Sequence, residues 1–206
     1  EIRDQIYSGQ TLEPDADMQF NGEILDIGDF AAYYTDNINA GEATVTIVGK
    51  NNYTGTRREK FNISAIALTE GDVGSISDVI YNGKTQKLEP AVTAVVAGTR
   101  VNLVNGRDYT LDYDGDTTNV TAEGIKITVT GIGNFSGVLT NAADYQITAK
   151  TISSTDIDVT VVPAILVYTG EELEPAVELY DGGVRLVENT DYKLDYSDNR
   201  NTGTAT

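Results

Sequence analysis

One loop of this chain carries acidic residues at the spacing of a calcium-binding loop. It reads DYDGDTTNVTAE, and its acidic residues fall at loop positions 1, 3, 5 and 12: Asp112, Asp114, Asp116 and Glu123. Carboxylates at these positions are ligands that a hard divalent cation prefers. The pattern departs from the usual loop where Thr117 replaces the glycine of the tight turn, and strands rather than helices are expected on both sides. The segment predicts a calcium site, with an acidic loop between two strands as the alternative.

Most other site chemistry is excluded because two residue types are missing. The chain has no cysteine, and therefore no disulfide, thiolate zinc site or cysteine nucleophile. It has no histidine, which removes the usual general base, the usual nitrogen ligand for metals and every Ser-His-Asp triad. A pair of carboxylates could still act as acid and base, but the acidic residues recur inside turn phrases rather than as an isolated pair. We therefore expect that the chain is not an enzyme.

A lysine–asparagine isopeptide bond is a further option for a chain without disulfides. It needs a buried lysine, an asparagine and an acid on adjacent strands, and three lysines lie on predicted strands: Lys60, Lys126 and Lys193. The alternation of apolar and polar residues points Lys126 outward. The sequence alone leaves this cross-link open.

The chain is strongly acidic, with 32 aspartates and glutamates against 14 lysines and arginines among 206 residues. Such a surface repels nucleic acid and anionic lipid, because binding to both depends on positive charge. No stretch approaches the roughly 20 apolar residues that cross a bilayer. We therefore expect neither nucleic-acid binding nor membrane insertion of this segment. The chain begins with Glu1, and we expect it to be a fragment of a longer chain.

Three short phrases repeat along the chain and define its organisation. They read YSGQTLEP at 7–14, YNGKTQKLEP at 81–90 and YTGEELEP at 168–175. In each, Tyr-x-Gly predicts a strand that enters a turn, and Leu-Glu-Pro predicts an extended edge segment, because proline cannot donate to a ladder. The phrase is interpreted as a structural corner, with a row of tyrosines that stacks on sugar as the alternative. Self-similarity of this kind is typical of tandem domains.

Alternating segments between the phrases predict antiparallel strands. In ATVTIVG (43–49) and IKITVTG (125–131), Val45 and Ile47 are expected to face a core and Lys126 to face water. Short runs of this type, broken by Gly, Asn and Asp about every 8–12 residues, indicate an all-β sandwich. No window shows a sustained helical period. The predicted domains are repeat one at 1–66, repeat two at 67–149 with a linker at its start, and a partial repeat three at 150–206 that lacks its last two strands.

The recurring anchors resemble a known family of repeats. The pattern Y-T-G-x-x-L-x-P, then G-x-D-Y, then N-A-G-x-A-x-V-T-I-x-G, then N-Y-T-G and F-x-I is similar to the tandem bacterial Ig-like repeats of large surface and secreted proteins, chiefly of Gram-positive bacteria. The residues that carry it are Tyr168, Gly170, Leu173, Pro175, Gly106, Asp108, Tyr109, Asn39, Ala40, Gly41, Ala43, Val45, Thr46, Ile47, Gly49, residues 52–55, Phe61 and Ile63. Repeat two departs from the family in its acidic loop, which is longer than usual. The resemblance implies tandem Ig-like antiparallel β-sandwich domains, the third incomplete.

The same resemblance implies an extracellular, cell-surface or secreted bacterial setting, and the family has no shared active site. The first functional expectation is therefore a non-catalytic segment of a bacterial cell-surface protein that acts as a stalk or spacer and presents other domains. The alternative is an adhesin-type module that binds a surface polysaccharide or a host protein, supported by 12 tyrosines and exposed end loops. No cofactor other than calcium is expected.

Overall fold

The structure is almost entirely β. It is a computed structural model that describes residues 2–15 and 18–206. Within those residues the only helical segments are two short 3-10 turns, Ile27–Asp29 and Glu70–Asp72. No helix in this part of the chain is long and apolar enough to cross a membrane. The predicted all-β class is confirmed, whereas the Ig-like assignment within that class stays a prediction.

Two compact units divide the chain, Glu1–Thr148 and Ala149–Thr206. The first unit contains the predicted repeats one and two except for Ala149, the last residue of the predicted repeat two. The second unit contains the predicted partial repeat three.

Repeat one is built around a four-stranded sheet. Its strands are β1 (Gln5–Ile6), β2 (Gln19–Phe20), β3 (Glu23–Ile24), β4 (Phe30–Thr35), β5 (Gly41–Gly49) and β6 (Thr56–Ser64). The sheet order is β1-β6-β5-β4, in which β1 runs parallel to β6 and the other pairs are antiparallel. β2 and β3 form a separate hairpin. The buried cluster of this repeat is small and consists of Ala43, Phe61 and Ile63.

Repeat two contains a larger core. Its strands are β7 (Ile66–Ala67), β8 (Val79–Ile80), β9 (Thr93–Val96), β10 (Thr99–Asn102), β11 (Tyr109–Asp114), β12 (Ile125–Gly131), β13 (Phe135–Ser136), β14 (Val138–Tyr145) and β15 (Ile147–Thr148). The central sheet has the order β11-β12-β14, β8 lies parallel to β15, and β9 and β10 form a hairpin. The core extends from Leu68 to Ile147 and includes the fully buried Ile125 and Ile127.

The second unit is a three-stranded antiparallel sheet of order β16-β17-β18, with strands β16 (Ile157–Val162), β17 (Ala176–Asp181) and β18 (Val184–Arg185). Beyond it, Ser197 and Thr206 exchange backbone hydrogen bonds of 2.6 and 2.9 Å. The equivalent pair in repeat one is Thr35 and Thr44, which begins the ladder between β4 and β5. The pairing of Ser197 with Thr206 therefore corresponds to the first residue pair of the β4–β5 ladder in repeat one.

The alternating residues of the central strands face the core as predicted. Val45 is fully buried and Ile47 nearly so, and the same holds for Ile125 and Ile127 in repeat two, whereas Lys126 between them is exposed. Successive side chains of a strand point to opposite faces, so one apolar set fills the core. The sequence pattern therefore fixes which face of each central strand is buried.

Three hairpins share one turn type. Their central residues have φ of 52° and 85° at Asn21–Gly22, 47° and 81° at Ala97–Gly98, and 54° and 85° at Gly182–Gly183. Positive φ at both positions is the mark of a type I′ turn, whose twist matches that of the flanking strands. Each turn has glycine at its second position, where the left-handed conformation would strain a side chain. Gly22, Gly98 and Gly182 thus lie at equivalent turns of the three repeats.

The repeated phrase forms a corner that a tyrosine hydroxyl fastens. The hydroxyl of Tyr34 donates to the carbonyl of Pro14 at 2.6 Å, that of Tyr113 to Leu88 at 2.8 Å, and that of Tyr196 to Pro175. In each repeat the accepting carbonyl belongs to the residue seven positions after the first tyrosine of the phrase. Repeat two has two extra residues before its Leu-Glu-Pro, and its acceptor is nevertheless Leu88 rather than Pro90. The corner is therefore set by the distance from Tyr81 and not by the position of the proline.

Candidate functional site at the junction of repeats one and two

The segment that leaves repeat one is built into repeat two. β7 pairs in parallel with β13, and the N–H groups of Ile66 and Leu68 donate to the carbonyls of Asn134 and Ser136 at 3.0 and 2.9 Å. The Leu68 side chain is buried in the core of repeat two. β7 straddles the predicted boundary between residues 66 and 67, so the connection between the repeats is a strand and not a loose linker.

Two side-chain contacts also join loops of the two repeats. The ring of Tyr7 meets that of Phe135 edge to face, with 5.9 Å between the centroids and 77° between the planes. The amide of Asn134 accepts from the N–H of Ala40 at 2.7 Å through Oδ1 and donates to Oδ1 of Asn39 at 3.0 Å through Nδ2. Adjacent residues of repeat two thus make an apolar contact and a two-point polar contact with two different segments of repeat one, and together these contacts constrain the orientation of one repeat on the other.

A groove of about 760 Å³ opens beside these contacts. Residues of both repeats line it, among them Tyr7, Gln10, Asn39, Asn102 and Arg107. Ligand sites commonly lie between domains and have volumes of about 300–1,000 Å³. An aromatic ring together with amide and guanidinium groups can offer stacking and hydrogen bonds to a polar ligand. We refer to this space as the junction groove, and it is the candidate binding site of the chain.

A buried carboxylate orients Arg107 in the junction groove. Nε of Arg107 donates to Oδ1 of Asp108 at 3.0 Å and Nη2 donates to Oδ2 at 2.7 Å. Oδ2 also accepts from the N–H of Val104 at 2.9 Å. The hydrogen bonds from Arg107, with that of Val104, outweigh burial and hold the pKa of Asp108 below its usual value.

The same pairing fixes the chemical role of these two residues. Because both oxygens of Asp108 accept hydrogen bonds and its pKa is lowered, it acts as an ionised anchor and not as a general base. The side chain of Arg107 is 69% exposed, so its other N–H groups can reach a ligand. A guanidinium in this position suits a carboxylate or a hydroxyl group.

The four predicted calcium ligands lie on different parts of the acidic loop. Asp112 and Asp114 are exposed on β11, and Glu123 is exposed just before β12. Oδ1 of Asp116 accepts from the N–H groups of Thr118 and Asn119 at 2.7 and 3.0 Å, and Oδ2 accepts from the Asn119 side chain at 2.8 Å. These hydrogen bonds, that of the Asn119 side chain first, lower the pKa of Asp116. Asp116 thus stabilises the turn of its own loop.

In residues 2–15 and 18–206, no group of three or more acidic side chains is arranged to hold a metal ion. The loop brings Asp112 and Asp114 to one strand but does not gather them with Asp116 and Glu123. The calcium site therefore stays a prediction, and the arrangement seen in the structure is that of a loop connecting two strands.

The lysines considered for a cross-link are all exposed. Lys60 forms a surface ion pair with Glu42 at 2.6 Å, and both Lys126 and Lys193 face solvent. An isopeptide bond requires a buried lysine, so these three residues do not meet its geometry.

The first tyrosines of the repeated phrases differ in their surroundings. Tyr7 and Tyr81 are half-buried and pack against the core of repeat two, which favours the structural interpretation of the phrase. Tyr168 is 57% exposed and lines a cavity of about 450 Å³ in the second unit, together with Leu173 and Tyr196. The three tyrosines therefore do not share one common environment.

The junction groove was not predicted from the sequence, because its residues come from loops of two repeats that meet only after packing. A weak signal was present in the two equivalent loops, where GNFSG in repeat two has Phe135 and NNYTG in repeat one has Tyr53. The change to a wholly apolar ring indicates a side chain that the neighbouring repeat covers, and Phe135 is indeed buried.

Comparison with other proteins supplies no relative. No protein-family model, no curated protein and no solved structure matches the chain.

Proposed function

We propose that this chain is a non-catalytic, modular segment of a bacterial cell-surface protein and acts as a stalk or spacer that presents other domains. The observation that carries the proposal is the junction of repeats one and two, where β7 leaves one repeat and is hydrogen-bonded into the next. The repeat pattern and its resemblance to surface-protein repeats support the extracellular setting. A spacer must keep its ends apart, so its units must not hinge freely.

Bending at this junction would break contacts that a flexible linker does not have. It would withdraw Leu68 from the core of repeat two, which costs about 2 kcal/mol for a side chain of this size. It would also separate the rings of Tyr7 and Phe135, a contact worth about 1 kcal/mol. A Gly/Ser-rich linker would impose no such cost. The two repeats should therefore keep one orientation most of the time.

A distance measurement across the junction tests the spacer role. Because the chain lacks cysteine, spin labels can be attached to R58C and T140C in the full chain, two exposed positions on different repeats. We expect one narrow distance distribution by double electron–electron resonance. The additional substitution L68D should broaden it, and I152D, at a half-exposed position in the second unit, should not. If the distance distribution is already as broad in the protein that retains Leu68 as in the L68D variant, the spacer role is refuted.

The junction groove supports a second candidate function, an adhesin-type module that binds a surface polysaccharide or a host protein. The oriented guanidinium of Arg107 is the specific feature that favours it. The test is a binding panel of glycans, peptidoglycan fragments and host matrix proteins, each with and without calcium. Saturable binding that R107Q removes and R58Q retains would establish this function. Absence of binding across the panel would leave the spacer role alone.

A further inference from the structure

The loop that receives β7 in repeat two has a structural equivalent in repeat one. Residues 49–55 and 131–137 are both closed by a hydrogen bond from the N–H of their first glycine to the carbonyl of their last, at 3.0 and 2.9 Å. The last glycine has φ of 98° in one loop and 99° in the other. The two loops therefore follow the same backbone path and present equivalent carbonyl groups.

In repeat two these carbonyls are the acceptors for a strand. Asn134 and Ser136 accept the N–H groups of β7 and of the residue after it. Their equivalents in repeat one are the carbonyls of Asn52 and Thr54, both on exposed residues, and no N–H from the described part of the chain donates to either. Two aligned carbonyls on an exposed edge are a template for the addition of a strand.

A cavity of about 290 Å³ lies next to this edge in repeat one, and Met18 and Leu25 are in its lining. The N–H of Leu25 donates to the carbonyl of Met18 at 2.8 Å, and the N–H of Leu103 donates to that of Val92 at 2.9 Å in repeat two. This bond identifies the two pairs as equivalent. In repeat two Val92 and Leu103 are buried in one cluster with Leu68. The cavity therefore corresponds to the place that Leu68 fills in repeat two.

We propose that the edge formed by Asn52 and Thr54, with the adjoining cavity, is a binding site for an extended segment of the same type as 65–68, supplied by another repeat of this kind. The bound segment donates two N–H groups to the edge and places a leucine in the cavity. The inference goes beyond the proposed function, because the site does not depend on whether the row of repeats serves as a spacer or carries an adhesive groove.

The chemistry of the occupant follows from the segment bound to repeat two. Its donors are the N–H groups of Ile66 and Leu68, and since alternate N–H groups of a strand point to opposite sides, that of Ala67 points away from the loop. The side chain of Ala67 is exposed and that of Leu68 is buried. The site therefore selects two donors separated by one residue, with an apolar side chain at the second donor.

A synthetic peptide tests the proposal on the full chain. The probe is the capped peptide SAIALTEGDVG, which copies residues 64–74. In amide NMR spectra of the labelled protein, we expect saturable shifts in residues 49–56 and at Met18 and Leu25, with a dissociation constant of about 1 mM or tighter. Methylation of the peptide nitrogen at the second donor should weaken binding about tenfold, because one hydrogen bond is lost. Methylation at the intervening alanine should change it less than about twofold.

Two matched protein variants locate the peptide. L25E places a charge in the cavity and should abolish binding, whereas L186E, at the equivalent position of the second unit, should leave it unchanged. The amide spectrum of L25E must remain well dispersed, which shows that the variant is folded. If it does not, the comparison of the two N-methylated peptides on the unsubstituted protein still tests the proposal. The proposal is overturned by an absence of shifts at about 5 mM peptide, by equal effects of the two methylations, or by shifts confined to the second unit.

Discussion

Replacement of Leu68 by alanine should destabilise repeat two, although the residue lies in the segment that leaves repeat one. Leu68 is 5% exposed and packs in one cluster with Val92 and Leu103. The substitution removes about three buried carbon groups, which at about 0.8 kcal/mol each gives about 2.4 kcal/mol. The cavity left behind adds to this, and with partial relaxation of the surrounding side chains we expect a total of about 3 kcal/mol.

Native-state hydrogen exchange measures this cost in the repeat where it should appear. The amides of Val129 and Tyr145, both deep in repeat two, should exchange about a hundredfold faster in L68A than in the original chain, since each 1.4 kcal/mol is a factor of ten. The matched control is I152A, which occupies the corresponding place after repeat two. Ile152 is 52% exposed, so its truncation should cost less than about 0.5 kcal/mol.

The result that would refute this reasoning is an equal cost for the two substitutions. If exchange in repeat two is no faster in L68A than in I152A, Leu68 does not contribute to the core of repeat two in solution. The junction would then be held only by the hydrogen bonds of β7 and the contacts of Asn134 and Phe135, without the buried leucine that makes bending costly.

Two further predictions concern the corner and the second unit. Tyr34→Phe removes the hydroxyl that donates to the carbonyl of Pro14 at 2.6 Å and should lower the free energy of unfolding by about 1 kcal/mol in urea titrations. Tyr33→Phe, at an exposed ring, should not lower it. Equal effects of the two substitutions would show that this hydrogen bond does not stabilise the corner. Hydrogen bonds from Lys150 and then Ser154 lower the pKa of Asp156 to about 2, so any stability that this carboxylate contributes is present above pH ~4 and lost as the pH falls toward 2. Lys150→Met should therefore raise this pKa in a carboxyl NMR titration, and an unchanged pKa would contradict the ion pair.

The features that the sequence predicted correctly are those with a local cause. Alternation with period two requires only that one face of a strand is buried, and it correctly placed Val45 and Ile47 inside and Lys126 outside. The bends at Gly9, Gly83 and Gly170, the glycines of the three Tyr-x-Gly phrases, follow from a backbone conformation that glycine adopts without strain. Each of these statements concerns residues close together in the chain, so it does not depend on how the repeats pack.

The features that the sequence did not predict depend on contacts between distant segments. The groove exists because Asn39 of one repeat meets Asn134 of the next, and the only signal of this contact in the sequence is the phenylalanine beside Asn134, which does not identify its partner. The acidic loop has the spacing of a calcium loop, but spacing does not specify where each carboxylate points, and Asp116 is engaged in its own turn. The spacing of acidic residues therefore predicts a metal site less well than the position of a glycine predicts a turn.

The boundaries of the folded repeats do not coincide with the positions of the repeated phrases in the sequence. All three phrases end in proline, yet the hydroxyl of Tyr113 donates to the carbonyl of Leu88 and not to that of Pro90, because the acceptor lies seven residues after the first tyrosine of the phrase. The core of repeat two likewise includes Leu68, which lies four residues after the end of β6, the last strand of repeat one. Since this residue precedes the phrase that marks repeat two, repeat two is completed by the segment before its own phrase. Repeats one and two are thus joined by contacts that also fold repeat two, and that coupling is what a spacer requires.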